Sequence, residues 1–272
     1  MSDPISVLMN LFNYQFFQNA VLGGVLVTLA CAWIGLFLIL RKESMIVDGL
    51  AHTAFGGIAI GLFFSINPII PALLISAVAV LAISYLRRKG IAQSDSAIAV
   101  MLAIGFSTGL IIISLAGGFN VELFSYLFGS ILTINMGDLL TVSLLSVVTI
   151  VFLSLFYKEL MCISFDERSS RLTGIPVEYL SVAFNLIVAL TIVLSIKIIG
   201  IILVVALVVL PALTALQLRL SFRKTMLTTV VVGVVGLIMG LIISALYDIA
   251  TSGVIVFTLV FIFAVSAVYS RL

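Results

Sequence analysis

Long apolar segments divide this chain into stretches that are each long enough to cross a lipid bilayer. They fall at about residues 17–40, 46–66, 69–86, 95–115, 136–157, 176–196, 198–217, 224–247 and 252–270. A helix needs about 20 apolar residues to span the hydrocarbon core. Since 63% of the residues are hydrophobic and only 9% are charged, a soluble domain could not bury so much apolar surface. The sequence predicts an all-α polytopic membrane protein with a single transmembrane domain over residues 1–272.

The basic residues predict the orientation of these segments. The chain has 13 Lys and Arg residues. With nine crossings and the N-terminus outside, all of them except Lys197 lie on the cytoplasmic side. This is the bias that the positive-inside rule describes. An eight-crossing arrangement makes one segment re-entrant or peripheral, and the second and seventh segments are the weakest. We expect nine crossings, with eight as the alternative.

Several function classes lack their sequence signatures. The net charge of +2, without a basic patch, argues against nucleic acid as a partner. The chain carries no phosphate-binding loop, no His-Glu-x-x-His zinc motif and no Gly-x-Ser-x-Gly nucleophile elbow. We therefore expect a protein that is not an enzyme and has no permanently bound cofactor.

Asp48 and His52 form an ionisable pair near the start of the second apolar segment. Residues four apart share one face of a helix, so the carboxylate and the imidazole point the same way. Both are ligands for divalent metals, and ionisable residues inside a membrane segment indicate function by default. The alternative is a pair that is simply hydrogen-bonded near the cytoplasmic headgroups, because Arg41 and Lys42 are close in sequence. Charges at membrane ends cost much less than central ones.

The longest hydrophilic stretch runs from Ser164 to Pro176 and predicts a short helix at about residues 164–175. Ser164 is the expected N-cap, with Glu167 in the capping-box position. Gly174 is expected to end the helix in a left-handed conformation, and Pro176 to open the next one. A capped cytoplasmic helix suits docking into the groove of a partner. An ordinary solvated connector is the alternative.

Two acidic residues are predicted outside the membrane. Glu122 lies in residues 117–129, a stretch too short to span and consistent with a re-entrant or interfacial helix. Asp248 follows the eighth segment. Both can attract cations or contact an external protein, although solvated loop charges are the commoner case.

The order of these motifs along the chain resembles a known family. Residues 41–57, RKESMIVDGLAHTAFGG, are similar to the signature of the membrane subunits of bacterial zinc and manganese ABC importers, the metal-type ABC-3 permeases. Further similarities are Tyr126–Gly129, residues 164–174, 197–215 and 244–253. Two departures are Val47 in place of a glycine, and Phe55-Gly56 where Pro-Gly is common.

The resemblance implies a type II ABC importer-like bundle in the bacterial cytoplasmic membrane. It implies a homodimer, two cytoplasmic ATPase subunits that use ATP, and an extracytoplasmic metal-binding protein, in addition to the surrounding membrane lipid. Asp48 and His52 are then transient metal ligands, and transport proceeds by alternating access. The coupling residues are Ser164, Phe165, Asp166, Glu167, Arg168 and Gly174. Tyr126–Gly129 and Tyr247-Asp248 favour zinc over manganese.

Three other functions remain open from the sequence. A secondary metal transporter or channel would work without ATPase partners, but such proteins carry several intramembrane ionisable groups. An ABC importer for a metal chelate or vitamin would need a wider pore and no histidine. A non-transporting membrane scaffold would show no metal dependence.

Overall fold

The computed structural model describes residues 13–118, 121–129 and 134–270. The described part of the chain is helical, and we number its helices α1 to α11 in chain order. They are α1 (Gln15–Leu40), α2 (Met45–Phe63), α3 (Ile69–Arg88), α4 (Ser94–Leu115), α5 (Val121–Phe128), α6 (Met136–Leu155), α7 (Tyr157–Phe165), α8 (Glu167–Leu172), α9 (Val177–Gln217), α10 (Phe222–Tyr247) and α11 (Thr251–Tyr269). Eight of these described helices are long and apolar enough to cross a membrane. The predicted all-α membrane fold is confirmed.

The longest helix, α9, folds back on itself at Gly200, where φ is 80° and ψ is 162°. Gly35 of α1 lies against the backbone of Val208, and the ring of Phe37 lies 6.3 Å from that of Phe184. In a straight helix residues 184 and 208 would be about 36 Å apart. Since Gly35 and Phe37 are only two residues apart on α1, the two halves of α9 run antiparallel beside it.

The fold-back at Gly200 gives the structure nine apolar segments on eight long helices. Residues 177–199 and 201–217 form the two halves of α9, about 34 and 26 Å long. These halves match the sixth and seventh segments predicted from the sequence. Because α9 reverses at Gly200, the basic clusters lie at one end of the helix bundle. The turn at Gly200 lies at the other end, next to Lys197.

The turn of α9 packs closely against the end of the short helix α5, and a glycine on each side allows this contact. Gly129 ends α5 with φ of 85°, and a β-carbon on Gly200 would lie 2.4 Å from its amide nitrogen. A Lys197–Asp138 ion pair joins the same turn to the start of α6. Asp138 also completes a capping box with Asn135 at the start of α6. The predicted short helix within residues 117–129 is confirmed.

We expect Gly200→Ala to destabilise the protein. An added β-carbon would meet the backbone of α5, and φ of 80° with ψ of 162° is open essentially to glycine alone. The yield of monodisperse protein and its thermal midpoint in detergent should both fall. Gly253→Ala is the matched control, since a β-carbon there meets nothing within 4 Å. Equal behaviour of the two variants would contradict a tight contact between the glycines.

Glycines also bring α2 into close contact with its neighbours. A β-carbon on Gly56 would lie 2.4 Å from the carbonyl oxygen of Gly105 in α4, and one on Gly57 would lie 2.4 Å from Ala72 in α3. Small residues at such positions let helix backbones approach closely. The middle of α2, one turn beyond His52, is therefore held by packing on both flanks.

Candidate functional site

Asp48 and His52 lie in contact on the open face of α2. His52 Nε2 is 3.4 Å from Asp48 Oδ1, and the two side chains are 30% and 38% exposed. Between Met45 and Ala59 every residue of α2 is buried except Met45, Asp48 and His52. These three positions follow helical spacing, so the only accessible stripe on this part of α2 carries the predicted pair.

The imidazole of His52 is held from two sides. Asp48 lies one turn below it, and the ring of Phe106 meets it edge to face at a centroid distance of 5.1 Å. Phe106 belongs to α4, which the Gly56–Gly105 contact keeps against α2. An edge-to-face contact of this kind restricts the ring orientation. The side chain is therefore partly preorganised, while its exposed edge stays accessible.

The neighbouring basic residues do not neutralise Asp48. Arg41 turns away from it, placing Nε 3.3 Å from Glu43 and donating a hydrogen bond from Nη2 to Ser181 Oγ at 3.0 Å. Lys42 makes no ion pair among the described residues and is exposed. Within that part of the chain, His52 is the one charged or titratable partner of Asp48. The contact between the two side chains also fits the alternative, in which the pair is simply hydrogen-bonded near the cytoplasmic headgroups.

One copy of the chain brings two metal-ligating side chains together at this position. Among the described residues, no group of three or more His, Cys, Asp or Glu side chains is placed to hold a metal ion. A carboxylate oxygen and an imidazole nitrogen on adjacent turns suit Zn²⁺ and Mn²⁺. Two such ligands can bind a passing ion weakly but do not enclose it.

A buried ion cluster next to this site was not predicted from the sequence. Glu43 bridges Arg41 and Arg87, and its side chain is only 5% exposed. The turn after α1 explains why Glu43 points inward. Lys42 adopts φ of 57°, and the amides of Lys42 and Glu43 donate to the carbonyls of Ile39 and Leu38, which closes a Schellman motif. The sequence contains one indication of this cluster. Arg41, Lys42 and Glu43 are consecutive charged residues in a short turn, and such a turn cannot expose all three side chains to solvent.

The hydrophilic segment forms a shorter helix than predicted, and Ser164 is not its N-cap. Ser164 lies in the last turn of α7, where its hydroxyl donates to the Leu160 carbonyl at 2.7 Å. Asp166 caps α8 instead, because its extended backbone lets Oδ1 accept from the amides of Arg168 and Ser169. The helix therefore spans Glu167–Leu172 rather than residues 164–175. Gly174 does adopt the predicted left-handed conformation, with φ of 84°.

This short helix is connected to the rest of the bundle by ion pairs. Arg171 contacts Glu167 at 2.8 Å and Glu178 at 3.2 Å, and Glu178 also contacts Arg88 at 3.1 Å. The residues therefore link α8 to α9 and to the end of α3. The side chains of Phe165, Glu167 and Arg168 are exposed on this surface.

The two acidic residues predicted outside the membrane have different structural roles. Asp248 caps α10 in a left-handed conformation with φ of 53°, and its side chain is exposed. Aspartate tolerates this conformation better than most residues, so the turn alone accounts for its presence. Glu122 lies in α5, and its side chain is outside the described residues.

Comparison with known proteins supplies the context for this geometry. The ABC 3 transport family matches residues 13–270. The chain is 29% identical to the manganese transport system membrane protein MntC of Halalkalibacterium halodurans, over 99% of this chain and 92% of that one. It is 28% identical to the high-affinity zinc uptake system membrane protein ZnuB of Haemophilus influenzae, over 93% of this chain and 97% of that one.

A solved structure supports the same assignment. The fold matches PsaBC from Streptococcus pneumoniae in complex with Fab with a TM-score of 0.85 and 27% identity, over 96% of this chain and 94% of that one. The resemblance inferred from the ordered motifs and the eight apolar helices agree with these matches. The protein is therefore a multi-pass bacterial membrane protein of the transport-subunit type, and it belongs to the ABC 3 transport family.

Proposed function

We propose that this chain is the permease subunit of an ATP-driven importer of a divalent transition metal, zinc or manganese. The observation that carries the proposal is the Asp48–His52 contact on the one open stripe of an otherwise buried α2. Relatives named for manganese transport and for zinc uptake both support this substrate class. Asp48 and His52 act as the transient ligands along the path.

A second copy of the chain completes the site. Each copy offers one carboxylate and one imidazole, and a twofold axis along the pore would bring two such pairs together. Four nitrogen and oxygen ligands suit tetrahedral Zn²⁺, and added water would satisfy Mn²⁺. Conduction requires binding strong enough to replace hydration yet weak enough to release the ion. A site shared between copies, without thiolates, fits that requirement.

The cytoplasmic helix α8 is the docking element for a partner ATPase. Its exposed Glu167 and Arg168, with Phe165 just before it, offer both charged and apolar contacts. The ion pairs of Arg171 and Glu178 would pass a displacement of α8 to α9 and α3. Binding and hydrolysis of ATP in two such partners would drive the alternating access of the path. An extracytoplasmic metal-binding protein would deliver the ion near Glu122 and Asp248.

The Asp166 cap gives a test of the docking helix. The hydroxyl and amide of Ser169 donate to this carboxylate, and these hydrogen bonds hold the pKa of Asp166 below its usual range. Because the pKa is lowered in the folded state, the cap stabilises α8 fully at pH values above the ordinary pKa of a free aspartate. The stabilisation is lost as the pH falls through the lowered pKa. We expect Asp166→Ala to speed hydrogen exchange across residues 167–172 and to weaken binding of the ATPase.

Ser164→Ala is the matched control for the cap. Its hydroxyl bonds within α7 and not to α8, so exchange across residues 167–172 should stay as in the wild type. Acidification of the wild-type protein through this pKa should lower the protection factors across residues 167–172, taken relative to the intrinsic exchange rate at the same pH, as Asp166→Ala does. Slow exchange retained in Asp166→Ala would show that the carboxylate does not hold this helix.

Uptake by the reconstituted complex tests the proposed function. The chain is placed in proteoliposomes with its ATPase and binding protein, and ⁶⁵Zn²⁺ uptake is measured with and without internal ATP and with competing Mn²⁺. We expect ATP-dependent uptake, and the competition ranks the two metals. Uptake indifferent to ATP would favour a secondary transporter. ATP-driven transport of a chelate or vitamin that ignores both metals would contradict the proposal.

A further inference from the structure

A groove on the cytoplasmic half of the bundle combines free cations with apolar walls. It lies between α1, the α6–α7 junction and α10, and we call it the α6–α10 groove. Its volume is about 750 Å³, and its walls include Trp33, Leu155, Lys158, Arg223, Leu227 and Val230. The groove is not used by the proposed transport mechanism.

An aromatic cluster sets the positions of the two cations at the mouth of the groove. The ring of Tyr157 lies 5.5 Å from that of Phe222, and Phe37 packs against both. Lys158 and Arg223 are the next residues along the chain from Tyr157 and Phe222. The cluster therefore brings the starts of α7 and α10 together and leaves two exposed basic side chains lining the same groove.

Among the described residues these two cations make no ion pair, as is also true of several other exposed basic residues on this side of the protein, such as Lys42 and Lys89. Within the described ranges neither Lys158 nor Arg223 makes an ion pair, whereas Arg41, Arg87, Arg88 and Arg171 each contact an acid. Of the described residues that line the groove, Glu159 is the one acid. Lys224 follows Arg223 and adds a further positive charge nearby. The mouth of the groove is therefore positive overall and attracts an anion.

The walls change from charged to apolar with depth. Leu227 and Val230 lie on successive turns of α10 beyond Arg223, and Leu155 and Leu227 are 72% and 66% exposed. Trp33 lies about 10 Å from the cytoplasmic end of α1, deeper in the bundle than the two cations. A ligand that fits has an anionic head at the cytoplasmic surface and a hydrocarbon tail towards the membrane centre.

We propose that the α6–α10 groove binds an anionic phospholipid of the cytoplasmic leaflet. Its phosphate lies between Lys158 and Arg223, and an acyl chain follows Trp33, Leu227 and Val230. Basic pockets between membrane helices on the cytoplasmic side are suited to such headgroups. The surrounding bilayer supplies this ligand at high local concentration.

The position of the groove favours lipid over a protein partner. Its walls belong to α1, α6, α7 and α10, whereas Asp48 and His52 lie on α2, which packs on α3, α4 and α9. A second copy that shares the metal path approaches from the α2 side. The helix α8, proposed to meet the ATPase, is anchored to α3 and α9 by its ion pairs.

The chain contains a single tryptophan, and it lies in the groove. Its fluorescence therefore reports directly on a lipid that occupies the groove. The full-length protein is reconstituted with mixtures of phosphatidylcholine and phosphatidylglycerol in which one lipid carries bromine atoms in mid-chain. Brominated phosphatidylglycerol should quench Trp33 in clear preference to brominated phosphatidylcholine, and salt should reduce that preference.

Charge removal then assigns the preference to the groove. We expect Lys158→Gln and Arg223→Gln each to lower the relative affinity for phosphatidylglycerol roughly fivefold, and the double variant to abolish the preference. Lys89→Gln is the matched control, since Lys89 is an exposed cytoplasmic lysine outside the groove. Equal quenching of the wild-type protein by the two lipids would overturn the proposal, as would a preference that survives in the double variant. The wild-type comparison holds even if a variant folds poorly.

Discussion

Replacing His52 with glutamine should lower metal uptake by at least about 10-fold at limiting metal concentration. Loss of residues that merely support a metal ligand costs about 10- to 100-fold in affinity, so loss of a ligand should cost at least as much. His52 is the only histidine in the chain, and it touches the candidate carboxylate Asp48. Asp48→Asn should have a similar effect. Initial rates of ⁶⁵Zn²⁺ and ⁵⁴Mn²⁺ uptake in proteoliposomes measure both.

Met45→Ala provides the matched control for these ligand variants. Met45 lies on the same open stripe of α2, one turn before Asp48, and its side chain is 54% exposed. Its truncation should leave uptake near the wild-type rate, because it removes no ligand. Wild-type uptake by His52→Gln at limiting metal would mean that the Asp48–His52 contact is a hydrogen-bonded pair with no role in transport.

The largest effect on stability is expected from Glu43→Gln. The change leaves the buried Arg41 and the half-buried Arg87 without their shared carboxylate. Burial lowers the pKa of Arg41, and the negative charge of Glu43 is the main opposing influence. Breaking a buried ion pair by removal of one partner costs about 3–5 kcal/mol, because the remaining charge is uncompensated. The free energy of unfolding, measured by denaturant titration in detergent micelles, should fall by about that amount.

Asp95→Asn is the matched control for Glu43→Gln. Asp95 is an exposed acid in the first turn of α4, close to the same cytoplasmic surface, and makes no ion pair within the described ranges. Its substitution should change the free energy of unfolding only slightly, since exposed charges contribute little. If Glu43→Gln were as stable as Asp95→Asn, the Arg41–Glu43–Arg87 cluster would be dispensable for folding.

The membrane segments were predictable because hydrophobic length is a local property of the sequence. The predicted stretches 17–40 and 95–115 agree closely with α1 and α4. The predicted boundary between residues 196 and 198 lies close to the reversal at Gly200. The sequence did not show that Gly200 faces Gly129, since that contact depends on two distant segments meeting. The fifth segment also ended earlier than predicted, at Leu155, because Tyr157 begins the separate helix α7.

The candidate site was predictable in its ligands but not in its surroundings. Helical spacing was enough to place Asp48 and His52 on one face. The contact with Phe106 comes from α4, whose packing on α2 no local pattern specifies. The burial of Glu43 likewise depends on Arg87, which lies 44 residues away.

Local patterns also allowed more than one cap for the docking helix. Both Ser164 and Asp166 are good N-cap residues. The hydroxyl of Ser164 bonds to the preceding turn of α7, and the extended backbone at Asp166 resolves the choice in its favour. The capping pattern alone did not show that α7 continues through Ser164, which excludes this residue as the cap of α8. The preference for zinc and the contacts of Glu122 and Asp248 remain predictions.

Metal stoichiometry tests the shared site most directly. The purified full-length protein is equilibrated with ⁶⁵Zn²⁺ or ⁵⁴Mn²⁺ in detergent, and bound metal is counted per chain beside the oligomeric state. The proposal predicts one ion for every two chains, bound by a dimer and lost in His52→Gln. One ion per chain, or binding by the dimer that is unchanged in His52→Gln, would contradict a metal site built from Asp48 and His52 of two copies.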